Sequence, residues 1–274
     1  MRIGFLGPRG TFTEEAATRY YQGHDVVLTP FPSIVAVMDA VLDGRVDRGV
    51  VPIENSIEGS VTLTLDGLLE NPDLFVEGGM VLPVEQNLIG LPGAKKADLR
   101  EVWSHPQAIA QCRRYLRQLG VEVKTFDSTA AAAMALARDR RPEVGVIAPA
   151  LSAQTFSLDI LERGIQDYQP NHTRFGVLRR GPAVDPHADK TMLLITPCEE
   201  HYGVLASLLN VLAAFRLNLT WIESRPTRRR LGTYQFLLDV DGGMHEEAVA
   251  KAISVIETIG HEVRVLGSYR TVVL

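Results

Sequence analysis

The sequence predicts an α/β protein made of two lobes around a cleft, followed by a smaller ferredoxin-like βαββαβ unit. Three observations predict it. From residue 1 to about 180 one joint recurs, in which a β-branched run ends in a small polar cluster that opens a helical pattern. Residues 75–91 form an apolar stretch broken by Gly78-Gly79 and Pro83, as a connection between two lobes would be. From Arg179-Arg180-Gly181-Pro182 to Lys190 that rhythm stops, and a different one follows. The expected domains are residues 1–180 and 190–274.

The joints come in order. Residues 2–6 run into Gly7-Pro8-Arg9-Gly10-Thr11-Phe12-Thr13 and a helix over 14–21; residues 26–31 run into Pro32-Ser33 and a helix over 34–42. Residues 49–53 lead into Glu54-Asn55-Ser56, Val102-Trp103 into Ser104-His105-Pro106-Gln107, 121–126 into Asp127-Ser128-Thr129, and 144–148 into Pro149. Ser, Thr and Asp at such joints cap helices, because their oxygens accept from free N–H groups of the first turn. In an open parallel sheet all these joints would share the carboxyl edge, where helix N-termini suit anions. In the second domain, strands over 191–197, 219–224, 234–240 and 263–269 and helices over 203–215 and 246–259 give βαββαβ.

Composition removes several classes. A net charge of −5 gives a nucleic-acid partner no basic face to bind. Cys112 and Cys198 are too few for a disulfide framework and read as reduced, and no run reaches membrane-spanning length or forms a signal-peptide core. A cytoplasmic protein with no membrane association is expected. The seven histidines show no metal-ligand spacing, so neither metal nor cofactor is expected.

The individual motifs have plain alternatives. Gly7 to Thr11 matches neither GxGxxG nor the phosphate loop and reads first as a tight turn with a Thr cap. Asn171-His172-Thr173 fits a glycosylation pattern that has no meaning without a secretory signal. Arg228-Arg229-Arg230 reads as a solvated turn between strands. On architecture alone, a non-catalytic two-lobed sensor of small molecules or amino acids fits as well as an enzyme.

Four segments nevertheless carry a specific resemblance: residues 7–17, residues 51–61, Ser104-His105-Pro106-Gln107-Ala108 with Gln111-Cys112, and Ile165-Gln166-Asp167 with Asn171-His172-Thr173-Arg174-Phe175. Over nearly its whole length the chain resembles the monofunctional prephenate dehydratases. Its second domain resembles an ACT domain through Gly203-Val204-Leu205-Ala206 and through Asn218-Leu219-Thr220 with Glu223-Ser224-Arg225-Pro226; Val204 stands where alanine is usual. The resemblance implies a periplasmic-binding-protein-like catalytic domain that converts prephenate to phenylpyruvate, with loss of water and carbon dioxide, in phenylalanine biosynthesis. Arogenate, with an amine in place of the keto group, is the alternative substrate.

By the same resemblance, Thr173 donates to the departing hydroxyl, Arg174 offers a planar fork to a carboxylate, and Asn55, Ser104 and Gln111 complete the catalytic set. Thr11, Glu54, Ser56, His105, Gln107, Thr129 and Phe175 are expected to bind substrate, with any acid role for Asp127 weakened by its short reach. L-Phenylalanine is expected between two subunits of a homodimer or homotetramer, held by residues 203–206, Asn218, Leu219, Glu223, Ser224 and Arg225.

Overall fold

The computed structural model describes residues 1–182, 185–198, 202–228 and 230–274. Arg229 of the predicted arginine turn lies outside them. The first lobe opens with β1 (Arg2–Leu6), α1 (Phe12–Tyr20), β2 (Val27–Phe31), α2 (Ile34–Leu42), β3 (Arg48–Asn55), β4 (Gly59–Ser60), α3 (Thr62–Glu70) and β5 (Leu74–Pro83). The second lobe holds β6 (Asn87–Gly90), β7 (Glu101–Ser104), α4 (Pro106–Gln111), α5 (Arg113–Leu119), β8 (Glu122–Thr125), α6 (Thr129–Asp139), β9 (Val144–Ala148), α7 (Ala150–Phe156) and β10 (Asp159–Glu162). The chain then returns to the first lobe as β11 (His172–Arg180). A third unit follows: β12 (Lys190–Pro197), α8 (Val204–Ala214), β13 (Leu219–Pro226), β14 (Tyr234–Asp241), α9 (Glu247–Thr258), β15 (His261–Tyr269) and β16 (Thr271–Val273).

The predicted caps explain where helices start. Thr11, Ser33 and Ser128 each accept a hydrogen bond from the N–H three residues on, at 3.2, 3.1 and 3.0 Å, and α1, α2 and α6 follow directly.

The sheets differ from the parallel expectation. The first lobe's order is β16-β5-β11-β3-β1-β2, with β1, β2 and β3 parallel and β11 inserted antiparallel between β3 and β5. The second lobe's order is β10-β6-β9-β7-β8, where β7 pairs parallel with β8 and β9 while β6 runs antiparallel to both its neighbours, β9 and β10. The joints therefore lie on the carboxyl edges of two sheets that face each other, not along one edge. The expected crossing over 75–91 is also shorter than its apolar run suggests. β5 belongs wholly to the first sheet, and only residues 84–86 cross; residues 163–171 cross back. The crossings run side by side, joined by Ile165 N–H to Gln86 O (2.9 Å) and Val84 N–H to Asn171 O (2.8 Å).

The βαββαβ pattern holds, as an antiparallel sheet in the order β13-β14-β12-β15. One face carries α8 and α9 over Leu193, Ile195, Phe236, Leu238 and Val240. The other packs on the first lobe: Met192, Leu194, Trp221, Leu237, Leu266 and Tyr269 share a core with Val37, Val41, Leu68, Val76 and Leu178. Each side chain of this kind contributes roughly 1.5–3 kcal/mol when withdrawn from water. The two expected domains are thus one packed body. β16 strengthens the tie, because the chain leaves the 190–274 unit after Tyr269 and adds a parallel strand to β5.

Polar contacts reinforce the seam. Arg264 donates to the carbonyls of Leu68 and Asn71 at the end of α3 and of Leu74 at the start of β5. Arg228 is not a free turn residue, since it pairs with Glu70 and, at 3.1 Å, with Asp66.

Two measurements test this packing. A Cβ at Gly267 would lie 2.0 Å from the Val76 carbonyl oxygen, so Gly267→Ala must force β15 off β5; denaturant unfolding should show a loss of about 2–3 kcal/mol. Burial pushes the Cys112 thiol up to about 12, whereas Cys198 is exposed. At pH 8 a thiol reagent should therefore titrate one cysteine in the folded protein and two in denaturant.

Candidate active site

The cleft between the lobes encloses about 510 Å³, within the range of small-molecule sites. Its walls come from the joints of both sheets: Thr11 and Thr13 after β1, Asn55 at the end of β3, His105, Gln107 and Gln111 after β7, and Asp127 to Thr129 after β8. Leu6, Phe12, Ile34, Val61, Leu63, Val84 and Phe175 make the rest largely apolar. A larger depression of about 880 Å³ at the far edge of the first lobe is a different matter. Its arginines are already engaged, Arg48 and Arg179 with Glu77 and Arg270 with Asp185.

Thr173 and Asn55 are cross-strand partners on β11 and β3, and both face the cleft. The amide orientation of Asn55 is fixed by its own loop, because Oδ1 accepts from the N–H groups of Ile57 (3.0 Å) and Glu58 (3.1 Å). Nδ2 must then point the other way. It donates to Thr173 Oγ1 at 2.9 Å, Asn171 Oδ1 at 2.9 Å and the His172 carbonyl at 3.1 Å. Because the threonine oxygen receives a hydrogen bond from Asn55, its own proton is left to be given elsewhere.

The polarity propagates. Asn171 Nδ2 donates to Gln111 Oε1 at 3.2 Å, and Gln86 Nε2 donates to the same oxygen at 3.3 Å. Gln111 in turn reaches Glu58 Oε1 at 3.4 Å. A chain of side-chain amides thus runs across the hinge from the second lobe to Thr173. Gln86 and Asn171 were missing from the site expected from sequence. Gln86 sits in an apolar crossing and Asn171 in a motif whose interest centred on Thr173; only the antiparallel return of β11 brings them together.

Other predicted residues reach the cleft with part of their capacity used. The Thr11 hydroxyl donates to Leu6 O (3.1 Å) and accepts from Glu14 N–H (3.2 Å), so it is a cap that happens to line the wall. His105 Nδ1 accepts from Gln107 N–H at 3.3 Å, which places the ring proton on Nε2. Ser128, not Thr129, caps α6. Phe175 is buried and forms part of the apolar wall.

Four predicted residues are elsewhere. Strand alternation turns Arg174 and its cross-strand partner Glu54 to the opposite face of the sheet, towards β13 and β14. Arg174 pairs there with the buried Asp239, lies 3.4 Å from Glu54 and stacks 5.1 Å above the Trp221 ring. It therefore cannot serve as a carboxylate fork in the cleft. The Ser104 hydroxyl, fully buried, donates to Ile147 O at 2.6 Å and ties β7 to β9. Ser56 Oγ accepts from His172 N–H at 3.0 Å and pins the loop after β3 to β11.

The expected effector residues are not gathered in one chain. In the third sheet Lys190, Asp241 and Leu219 mark one end, and Ile195, Phe236 and Ser224 lie towards the other. Asn218 is at the first end, donating to Asp241 at 2.7 Å, whereas Gly203, with φ +83°, opens α8 at the second. The side chain of Val204 is buried in the core of the unit, and Leu205 packs against that core. Ala206 and Ser224 are exposed. Glu223 and Arg225 face the first lobe, where Glu223 accepts from Ser60 at 2.9 Å and Arg225 pairs with Asp66 at 2.7 Å. Both are seam residues, which removes them from the expected pocket.

With this geometry in hand, three comparisons place the chain. The family model described as prephenate dehydratase matches residues 3–183. A prephenate dehydratase of Bacillus subtilis is 35% identical, with 99% of each chain covered. A prephenate dehydratase of Arthrobacter aurescens, solved in complex with L-Phe, superposes with a TM-score of 0.90 at 34% identity, covering 98% of this chain and 90% of that one. A protein described as a novel type of quorum-quenching acylase superposes with a TM-score of 0.89 at 31% identity, covering 99% and 98%.

The placement of Ser104 is directly testable. Ser104→Ala should lower stability by about 1–3 kcal/mol, the cost of leaving the Ile147 carbonyl unsatisfied, while kcat stays within about twofold. A large fall in kcat at unchanged stability would return Ser104 to the cleft.

Proposed function

The chain belongs to the prephenate dehydratase family, and on that footing we propose that its cleft removes water and carbon dioxide from prephenate to give phenylpyruvate, with Thr173 as the donor to the departing hydroxyl. The observation that carries this assignment is the Asn55 to Thr173 hydrogen bond at 2.9 Å. The threonine hydroxyl is too weak an acid to release its proton freely. Accepting from Asn55 polarises it and directs its hydrogen away from Asn55, so that it strengthens its bond to the leaving oxygen as charge develops there.

The substrate's two carboxylates meet an unusual wall. Among the described residues no Lys or Arg lines the cavity, so anionic groups rest on first-turn N–H groups of α1 and α6 and on donors such as His105 Nε2, Gln107 and Thr129. An apolar cleft without a cation leaves the ring carboxylate poorly hydrated and unpaired. Decarboxylation disperses that charge into the ring, and the aromatic product that forms makes the step downhill. A metal or cofactor has no part in this scheme.

For regulation, we read the third unit as an ACT domain that binds L-phenylalanine. Asn218 and Gly203 lie at opposite ends of its sheet, so an antiparallel partner subunit would bring the two segments face to face. A homodimer is the smallest assembly that completes such a site.

Prephenate and arogenate should be offered to the purified protein in parallel, with phenylpyruvate and phenylalanine followed as products. Turnover of prephenate with the higher kcat/KM is expected, and none on either substrate would end the enzymatic reading. Thr173→Val keeps the shape and loses the hydroxyl; kcat should fall at least about 100-fold, with Thr173→Ser recovering most of it. Near-normal kcat in the valine variant would remove Thr173 from the chemistry.

A further inference from the structure

We infer that Arg174 and Asp239 form a positioning joint through which the C-terminal unit sets the Thr173 and Asn55 pair, and through which the effector acts on turnover. The inference rests on the function proposed above. Its starting point is register. Thr173 pairs with Asn55 and Arg174 with Glu54, so the two strands show one pair to the cleft and the next pair to the C-terminal sheet. Immediately beyond lies a β-bulge, where Phe175 pairs with Pro52 and Ile53 is left over. Bulges bend a strand and increase its twist, so this is the point where a pull on Arg174 would turn Thr173.

Arg174 is held between two carboxylates, one from the C-terminal unit and one from the first lobe. One is Asp239 on β14, fully buried; the other is Glu54 on β3, at 3.4 Å. Its guanidinium is poorly served for a buried cation, since Nε and Nη2 are buried without a hydrogen bond. One cation shared between a catalytic strand and a regulatory strand, with unused donors, has two arrangements to choose from: engaged with Asp239, or swung onto Glu54. That choice is the two-state element that coupling between sites requires.

The far side of the joint reaches the expected effector end in a few residues. Trp221, under the Arg174 guanidinium, is the ladder partner of Asp239 across β13 and β14. Tyr269 donates to the remaining carboxylate oxygen of Asp239 at 3.1 Å. Two residues beyond Asp239, Asp241 accepts from Asn218 at 2.7 Å. A ligand that grips Asn218 therefore moves the two strand ends that carry Trp221 and Asp239.

Three variants test this in the full-length protein, with Asp239→Asn and Arg174→Lys altering the joint mildly and Arg174→Met with Asp239→Leu replacing it by an apolar pair. Because well-packed apolar substitutes for buried ion pairs commonly restore stability, the double variant should keep the wild-type melting temperature. Its kcat for prephenate should nevertheless fall about tenfold with KM nearly unchanged, and inhibition by L-phenylalanine should weaken by about tenfold or more. Wild-type kcat and inhibition in the double variant would show that the pair only holds the fold, and would overturn the inference. Asp239→Asn should shift both quantities in the same direction, so the test survives if the double variant does not fold.

A second readout does not depend on turnover. The chain has two tryptophans, so in a Trp103→Phe background Trp221 alone reports. Adding L-phenylalanine should change Trp221 emission, and Asp239→Asn should abolish that change. An absent response, or one that Asp239→Asn leaves intact, overturns the joint even if prephenate is not the substrate.

Discussion

The two N–H groups that commit Asn55 Oδ1 are the constraint on which the site depends. Ile57 and Glu58 present them from the loop after β3, so the side-chain amide has one orientation rather than two. Everything downstream inherits that choice: Nδ2 faces Thr173 and Asn171, Asn171 can only donate to Gln111, and Gln111 Oε1 can only accept. A backbone turn thus sets the direction of a hydroxyl on another strand. Such chains polarise one another in a low-dielectric cleft, and a half-satisfied member would disturb the whole set. Ser56 serves the same end by fastening the loop to β11.

The antiparallel return strand β11 makes this possible and also makes it hard to foresee. Much was legible in the letters: the caps at Thr11 and Ser33, the two lobes, and the βαββαβ unit to within a residue or two of most element ends. What the letters do not carry is the side of a strand. Glu54, Asn55, Thr173 and Arg174 read as one polar cluster, yet period-two alternation sends Asn55 and Thr173 to the cleft and Glu54 and Arg174 to the seam. Residues 171–175 mark a strand opening, but its antiparallel place between β3 and β5 depends on a contact some 120 residues back in the sequence. Ser104 was misplaced for a related reason, since a serine at a strand end can cap, line a wall or satisfy a neighbouring strand, and only the position of Ile147 decides.

The boundary after residue 180 illustrates a different limit. Composition marks a domain boundary there, which says nothing of how the two sides pack. The packing supplies the answer: one face of the third sheet completes the first lobe's core and β16 extends its sheet. Removing the C-terminal unit would expose Leu178 and Val76, deprive α3 of the arginine that serves its last carbonyls, and leave Arg174 buried without Asp239. A C-terminal unit that shares a core with the first lobe cannot shift without deforming it, since close-packed interiors switch between arrangements instead of yielding gradually.

The fold alone does not decide the chemistry, as an equally close structural relative described as an acylase makes plain. The cleft does more. It has polar groups that donate, a hydroxyl aimed by a neighbouring amide, an apolar wall and, among the described residues, no Lys or Arg. A guanidinium beside the ring carboxylate would bind the dianion tightly but would stabilise the ground state as well, and that stabilisation would be lost as neutral carbon dioxide departs and the electron pair passes through the ring to the leaving oxygen. Weak, distributed donors avoid this. The one arginine that sequence placed among the substrate's contacts is turned away by a single residue of strand register, and the reaction proposed here is better served by its being there.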